Sequence, residues 1–432
     1  MVWKRRASAT PFPHVCAQTV HPGGGVAYNA ITLKMLPWLF PVLALTACAD
    51  GGEEEVSQSD VLIDAEHHLF GFRTLAGFAG VPVSSSSVVT SNGLWNTFDD
   101  STYTLTLLGS TSSPSPYGLN VDGGLSIYVT GSGSEPSVVF QGGYDQVGTQ
   151  ANYFFTDRVS TPNSQSIGFF YGTPALSGQL ELEGDWHLLS LHVITGAGIV
   201  SPDNVGRGAH GLVSMTAGDP GTQRIITGVG SQGGVNQTTT VMTYGGTARN
   251  LLDGQGVGNG LLNLTLEYTA DGSPTDTRIL EAAGNDDVIF GLDEDIGDGE
   301  AGLVTMVRAF DAVAAPADPA LVPGTFLVGG HTLFVNPSNP GADAFVGTVT
   351  LSSPDGFRLD AVGNTGADFS YIGSFTLADD GKMTIDIQGS SEAWVAAISR
   401  DYNTFVVIDS VQESSPNPEL NFVFGVRKQE PL

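Results

Sequence analysis

The residues best suited to chemistry form one short acidic run. It reads Asp293-Glu294-Asp295-Ile296-Gly297-Asp298-Gly299-Glu300. Calcium takes six to eight oxygen ligands, commonly from a loop that can wrap around the ion. The run offers such ligands from Asp293, Asp295, Asp298 and Glu300, which makes it a candidate calcium site. It departs from the EF-hand pattern at its fifth and sixth positions, and a solvated turn between strands is the favoured interpretation.

Histidines and aspartates also recur at matching places along the chain. The histidines are His67, His68, His187, His192 and His331, and the aspartates are Asp157, Asp293 and Asp409. Neutral imidazole is a common metal ligand, so histidines that met on one axis would bind a metal ion. Their register along the chain does not match, which favours ordinary polar positions at strand starts. Each aspartate ends an apolar run and is expected to accept backbone hydrogen bonds in the turn that follows.

Sequence motifs of known catalytic mechanisms are missing. The chain has no Walker loop, no HExxH and no GxSxG, and its glycine-rich stretch at 254–260 does not have the GxGxxG spacing. Trp95, Trp186 and Trp394 would stack on sugars if they were exposed, although Trp394 lies in an alternating run typical of a core strand. No catalytic residues and no cofactor are predicted, and calcium is only a candidate ligand of the acidic run.

Cys48 ends an apolar stretch that determines where the protein is expected to reside. The stretch reads Met35-Leu36-Pro37-Trp38-Leu39-Phe40-Pro41-Val42-Leu43-Ala44-Leu45-Thr46-Ala47-Cys48. Its apolar part has about 13 residues, whereas a span of the bilayer needs roughly 20. The stretch therefore has the length of a signal-peptide core. The tetrapeptide Leu45-Thr46-Ala47-Cys48 resembles the lipobox of bacterial lipoproteins.

That resemblance implies that Cys48 carries diacylglycerol on sulfur and an acyl chain on its freed amine, which together anchor a protein firmly. Ala49 follows Cys48, and the absence of aspartate there favours transport onward to the outer membrane in such proteins. We therefore predict an exported cell-envelope protein whose N-terminal lipid binds the membrane. An ordinary signal peptide with a chance cysteine is the alternative. The sequence does not decide between Met1 and Met35 as the start.

The charge of the chain excludes several classes of partner. It contains 45 acidic and 16 basic residues, with a net charge of −29 at pH 7. Residues 1–48 hold four of the bases and no acid, so the part after Cys48 is more acidic still. Nucleic acid and bare anionic lipid both need basic patches, and neither is an expected partner. Cys16 is the other cysteine, so no disulfide is expected after signal removal, and a large apolar core must stabilise the fold.

Alternating apolar and polar residues predict an all-β, antiparallel fold after residue 60. Clear alternating runs occur at 103–107, 125–129, 262–266, 346–351 and 382–387. Asp-Gly pairs between such runs, including Asp122-Gly123 and Asp380-Gly381, predict hairpin turns. Residues 49–60 are charged and rich in Gly and Ser, which is typical of a flexible tether.

Internal repetition divides this β region into three units. An apolar strand ending in Asp, a polar loop and a final apolar strand recur at 152–170, 288–308 and 405–427. Matching openings occur at 68–72, 185–189 and 324–328. We therefore predict units at 61–172, 173–311 and 323–432, with a Pro/Ala linker at 312–322. Residues 1–48 form the N-terminal extension and signal peptide.

Each unit has room for about eight strands, and the third repeats weakly within itself. Four strands in about 50 residues match the size of a propeller blade. The favoured prediction is therefore a six-bladed β-propeller with two blades per unit. Three tandem eight-stranded barrels or sandwiches are the alternative.

Three classes of function fit these features. The favoured one is a lipid-anchored, non-catalytic binding or adhesion module that presents loops on a rigid scaffold to a glycan or a surface protein. A propeller-type hydrolase or lyase acting on extracellular carbohydrate is the second, by analogy of fold alone. A structural component of the envelope is the third.

Overall fold

The computed structural model is an all-β, antiparallel structure of 26 strands within the residues that it describes. The described residues are 65–76, 88–107, 110–129, 137–145, 152–157, 160–161, 164–175, 178–194, 206–218, 223–234, 239–252, 258–270, 275–293, 300–334, 341–363, 368–390, 393–409 and 419–429. Within these ranges, no helix is both long and apolar enough to cross a bilayer. Cys48 and the predicted tether lie outside them.

The first unit forms a barrel of eight main strands. Its strands are β1 (Ala65–Ala76), β2 (Val88–Thr97), β3 (Thr102–Leu107), β4 (Ser110–Thr111), β5 (Ser115–Leu119), β6 (Gly124–Val129), β7 (Ser137–Tyr144), β8 (Tyr153–Asp157), β9 (Ser160–Thr161) and β10 (Ser164–Pro174). Strands β4 and β9 are two-residue additions to β3 and β10. The remaining strands pair in sequence, and β10 pairs back to β1, which closes the ring.

The second and third units are closed eight-stranded barrels with neighbouring strands in chain order. The second contains β11 (Gly184–Ile194), β12 (Gly206–Ala217), β13 (Gln223–Gly234), β14 (Thr240–Leu252), β15 (Gly258–Ala270), β16 (Asp276–Gly284), β17 (Val288–Asp293) and β18 (Glu300–Arg308). The third contains β19 (Gly324–Phe334), β20 (Gly341–Ser352), β21 (Gly356–Gly363), β22 (Asp368–Leu377), β23 (Lys382–Ile387), β24 (Ala393–Ile398), β25 (Thr404–Ile408) and β26 (Glu419–Arg427). The segment between them packs on the third barrel, where Val322 is buried and the Ala317 N–H donates to the Asp379 carbonyl.

The predicted six-bladed propeller is wrong, and the alternative of three eight-stranded barrels fits. A propeller blade keeps two free edges, whereas here the first strand of every unit pairs with the last one. The weak repeat within the third unit compares β19 with β22, which belong to one continuous sheet. That similarity reflects the alternation shared by any β-meander. The hairpin turns at Gly123 and Gly381 are confirmed, with positive φ angles of 89° and 88°.

Each barrel has its own filled lumen, and alternation along the strands decides which residues enter it. In the second barrel, Trp186, Leu188, Leu264 and Met306 point inward and belong to one buried cluster. The neighbouring residues on the same strands, such as Leu189, point outward and are also buried. The first, seventh and eighth strands of each unit are therefore buried on both faces, as their uninterrupted apolar sequences indicate.

The outer faces of these doubly buried strands meet in a core shared by all three barrels. Phe72 and Tyr171 come from the first barrel, Phe290 from the second, and Phe422 and Phe424 from the third. The Tyr171 hydroxyl donates to the carbonyls of β17 and β18, at 2.9 Å and 3.1 Å. The shared core explains why the sequence repeats at the first strand and at the last two strands of each unit.

A buried chain of hydrogen bonds joins the three barrels beside this core. Asn152 Nδ2 donates to Thr404 Oγ1 at 2.8 Å, which links the first barrel to the third. Asn285 Nδ2 donates to Asn152 Oδ1 at 2.8 Å, which links the second barrel to the first. Asn285 Oδ1 also accepts from the backbone N–H of Val288 at 2.8 Å, so the side chain is fixed from both ends.

Candidate functional site

The acidic run begins inside the second barrel. Asp293 ends β17 with its side chain fully buried, and its Oδ2 accepts from Arg278 Nη1 at 2.5 Å. Burial opposes ionisation of Asp293, but His192 and Arg278 outweigh it and lower the pKa to about 2. Glu300 opens β18, while Asp295 and Asp298 lie outside the described residues. The calcium site therefore stays a prediction, and an ion there would compete with Arg278 for Asp293.

The predicted histidines do not converge on one axis. His67 packs in the first lumen against Trp95, while His68 Nε2 contacts the Asn259 carbonyl of the second barrel at 2.7 Å. His331 packs edge-on against Phe72, with ring centroids 5.3 Å apart. His192 lies inside the second barrel, 3.5 Å from Asp293. Among the residues that the structure describes, no three His, Cys, Asp or Glu side chains are grouped to hold a metal ion.

The other predicted residues are mostly buried structural ones. Asp409 follows β25 with its side chain buried, and its Oδ2 lies 3.5 Å from Asn421 Nδ2. Asp157 ends β8, and nothing of its side chain is described. Trp95, Trp186 and Trp394 are all in the core, which rules out stacking of these rings on a sugar at the surface.

A cleft between the second and third barrels gathers titratable side chains that sequence reasoning did not bring together. It has a volume of about 270 Å³ and is lined by His187, His210, Asp380, Lys382 and several aliphatic residues. His187 Nε2 donates to the Asp380 carbonyl at 2.9 Å and lies 3.8 Å from its carboxylate. The contact joins β11 of the second barrel to the β22–β23 turn of the third.

The imidazoles of this cleft are neutral at pH 7. Burial is the main cause that lowers the pKa of His210 to about 4, and the nearby ammonium group of Lys382 acts in the same direction. Burial likewise lowers the pKa of His187, against the opposing effect of Asp380. Ser231 Oγ lies 3.2 Å from His210 Nε2. The cleft therefore presents hydrogen-bonding groups without excess positive charge on its second-barrel side.

The wall of the cleft continues onto the outer surface of the second barrel, where three strands present a face without charge. Strand registers place its residues in four rows: His210, Ser231 and Val241; Leu212, Val229 and Thr243; Ser214, Thr227 and Gly245; Thr216, Ile225 and Thr247. We call this set the uncharged face. None of its twelve residues is Asp, Glu, Lys or Arg, and its histidine is neutral.

Aliphatic side chains of the uncharged face are open to solvent. Val241 is 68% exposed, Val229 is 63% exposed and Ile225 is 44% exposed. A strand that faces water normally carries polar or charged residues on that side. The chain contains 45 acidic residues, yet none of the twelve outward-facing positions of the uncharged face holds one. Exposed apolar area of this kind marks interaction sites on soluble proteins.

Comparisons with known proteins give little beyond this geometry. No protein-family model matches the chain, and no curated protein matches it. A double mutant of transferrin binding protein B from Haemophilus parasuis is 8% identical, with 86% of this chain and 77% of that chain covered, at a TM-score of 0.28. Transferrin binding protein B from Neisseria meningitidis is 9% identical, with coverage of 85% and 77%, at a TM-score of 0.28.

A protein of unknown function from Nostoc punctiforme is also 9% identical, with 57% of this chain and 96% of that chain covered, at a TM-score of 0.21. Likenesses at this level carry no argument about the chain. The three-barrel architecture therefore rests on its own strand pairings.

Proposed function

We propose that this chain is a lipid-anchored binding protein of the cell envelope whose ligand is another protein, docked on the uncharged face. The observation that carries the proposal is the exposure of Val229 and Val241 on an acid-free sheet in a strongly acidic chain. Centres of protein interfaces are depleted of charge and enriched in apolar area. A carboxylate at these positions would lose its hydration when a partner docked, which would oppose binding. The uncharged face contains no carboxylate.

The dimensions of the face suit the centre of an interface. Three strands spaced about 4.8 Å apart and seven residues long cover roughly 14 by 23 Å. That is smaller than the approximately 800 Å² that one partner buries in a standard interface, so a polar rim is required. Asp185, Arg249 and Glu267 border the face on neighbouring strands or at its end and supply that rim. Charged rims steer association and select partners.

A pair of matched substitutions tests this proposal. Val229→Glu places a charge in the centre of the uncharged face, and Val313→Glu makes the same change at a residue that is 94% exposed outside it. Both variants should fold as the parent does, because both side chains already face solvent. A photo-crosslinking residue at position 229 should form a discrete adduct with an envelope or external protein, and the same residue at 313 should not.

Once that partner is purified, Val229→Glu should weaken its binding at least about tenfold, and Val313→Glu should leave it unchanged. Equal binding by both variants would contradict the proposal. An adduct with the mass of two copies of this chain would show instead that the face joins copies of the protein.

Anchoring through Cys48 belongs to the same proposal and has a separate test. In cells, Cys48→Ser should move the protein from the membrane fraction to the soluble fraction, because the acylated sulfur would be lost. Unchanged fractionation of this variant would refute lipidation, while leaving the docking surface untouched.

A further inference from the structure

The cleft between the second and third barrels carries two opposite charges that are not paired with each other. Asp380 lies in the turn between β22 and β23, Lys382 opens β23, and both residues line the cleft. Within the described part of the chain, no carboxylate oxygen lies within 4.0 Å of the Lys382 ammonium, and the ammonium makes no hydrogen bond. The cleft therefore presents a half-buried cation that a ligand can pair with.

The Asp380 carboxylate has one oxygen committed to the turn and one that is not. Its Oδ1 accepts from the backbone N–H of Lys382 at 3.0 Å and lies 3.8 Å from His187 Nε2. Its Oδ2 makes no hydrogen bond with any described residue, and the side chain is 29% exposed. The turn therefore holds the carboxylate in place while leaving an anionic acceptor for a ligand.

His187 supplies a second acceptor on the opposite side of the cleft. Its Nε2 lies 2.9 Å from the Asp380 carbonyl, which can only accept, so Nε2 carries the proton. Burial lowers the pKa of His187, which keeps the ring neutral at pH 7. Its Nδ1 is therefore unprotonated and can accept a hydrogen bond from a ligand.

The other titratable groups near these residues leave this arrangement of charges unchanged. The imidazole of His210 is neutral at pH 7, because burial lowers its pKa to about 4. Asp185 acts on His187 through its charge, and its carboxylate accepts from the Ser214 hydroxyl. The cleft itself is therefore lined by one cation, one anion and two neutral rings.

Aliphatic side chains of both barrels complete the lining. Leu212 and Val229 are cross-strand neighbours on the second barrel, with 38% and 63% of their surface exposed. Val395 lines the cleft from β24 of the third barrel. Pockets for drug-sized ligands have volumes of about 300–1,000 Å³, so a cleft of about 270 Å³ suits a smaller molecule. Covering these side chains with an apolar group would stabilise the complex.

We infer that this cleft is a binding site for a free α-amino acid with an aliphatic side chain. The ligand carboxylate pairs with the Lys382 ammonium, and the ligand ammonium donates to Asp380 and His187. The aliphatic side chain packs on Leu212 and Val229. A simple anion would be repelled by Asp380 and a simple amine by Lys382, whereas a zwitterion is attracted to both. The inference concerns the chain alone and stands whether or not a protein docks on the uncharged face.

Analogues of one amino acid test the recognition of each charge. Calorimetry on the full chain should show saturable binding of L-leucine or L-valine, with a dissociation constant in the micromolar to millimolar range. N-acetyl-L-leucine lacks the ammonium and L-leucinamide lacks the carboxylate, so each should bind at least about tenfold more weakly than L-leucine. The inference is overturned if neither amino acid binds, or if either analogue binds as tightly as L-leucine.

Substitutions in the cleft test the protein side of the same contacts. Lys382→Met keeps the aliphatic stem but removes the ammonium, and Asp380→Asn keeps the Oδ1 acceptor of the turn but removes the charge. Each should weaken binding of L-leucine at least about tenfold. Lys428→Met is the matched control, because Lys428 pairs with Asp122 at 3.1 Å and does not line the cleft. It should leave binding unchanged.

A crossed measurement separates recognition from a purely structural role of Lys382. L-leucinamide has no carboxylate to lose, so Lys382→Met should bind it at least as tightly as the parent does. The inference is overturned if Lys382→Met binds L-leucine as tightly as the parent. It is also overturned if this variant weakens L-leucinamide as much as L-leucine, since the substitution would then have damaged the cleft as a whole.

Discussion

Acidification from pH 7 to pH 5 is expected to destabilise this protein through its buried histidines. His67 and His331 are both fully buried. Burial lowers the pKa of His67 to about 4 and that of His331 to about 3, from 6.5 in the unfolded chain. Below pH 6.5 the unfolded state therefore binds protons that the folded state does not. Its free energy falls relative to that of the folded state, and stability decreases as the pH is lowered.

The size of the effect follows from these pKa values. At pH 5 an unfolded histidine is almost fully protonated, whereas His67 and His331 remain almost entirely neutral in the fold. Proton linkage then removes about 2 kcal/mol of unfolding free energy per histidine between pH 7 and pH 5. The two residues together account for about 4 kcal/mol, a large part of the stability of an ordinary domain. Burial lowers the pKa of His68 and of His187 as well, which acts in the same direction.

Urea unfolding at pH 7 and pH 5 measures the effect, with His331→Leu as the informative variant. The leucine cannot titrate, so the loss of unfolding free energy over this interval should shrink by about 2 kcal/mol relative to the parent. Any packing defect lowers stability at both pH values and cancels in the difference. The reasoning is refuted if parent and variant lose the same amount of stability over the interval.

Three further substitutions test other parts of the structure. Asn285→Asp replaces an amide donor 2.8 Å from Asn152 Oδ1 by a buried carboxylate, and should reduce the unfolding free energy by about 3 kcal/mol or more in urea titrations. Tyr171→Phe removes the hydroxyl that donates to two carbonyls of the second barrel, and should cost about 1–2 kcal/mol in the same assay. Asp295→Ala should abolish the calorimetric heat of calcium binding if the acidic run holds the ion, and the absence of heat with the parent would end that hypothesis.

The fold class was predictable because its signals are local. Alternation identified half-buried strands, and Asp-Gly pairs marked turns such as the one at Gly381, where positive φ favours glycine. The repeated closings were visible because strands such as Val288–Asp293 and Thr404–Ile408 are buried on both faces and are apolar at every position but one or two. A shared core imposes that composition on the same strands of each unit.

Closure of the barrels was not predictable in the same way. The decisive pairing joins strands at the two ends of each unit, such as Gly324–Phe334 with Glu419–Arg427. A local sequence pattern does not identify a pairing partner so distant in sequence. The strands of a propeller blade and those of a barrel therefore show the same alternation. The preference for a propeller came from a half-repeat that any meander would show.

The candidate sites were missed for a related reason. The uncharged face becomes visible only when the registers of β12, β13 and β14 are known, because its members are scattered over about 40 residues of sequence. The buried polar residues inside the second barrel did leave a signal. His192 and Arg278 occupy inward positions of their strands, where an alternating pattern calls for an apolar residue. A charged or polar residue at an inward position of a strand indicates either a buried hydrogen-bond network or a binding site.

Because the three barrels share a core, they are not independent domains joined by linkers. Cutting out one barrel would uncover Phe290, Phe422 or Phe424 along strands whose other side already faces a lumen, and would break the hydrogen bonds of Asn152. Such a fragment would expose apolar side chains to solvent along these strands and should aggregate. The intact body should instead melt as a single cooperative unit, and truncation studies of its function need to retain all three barrels.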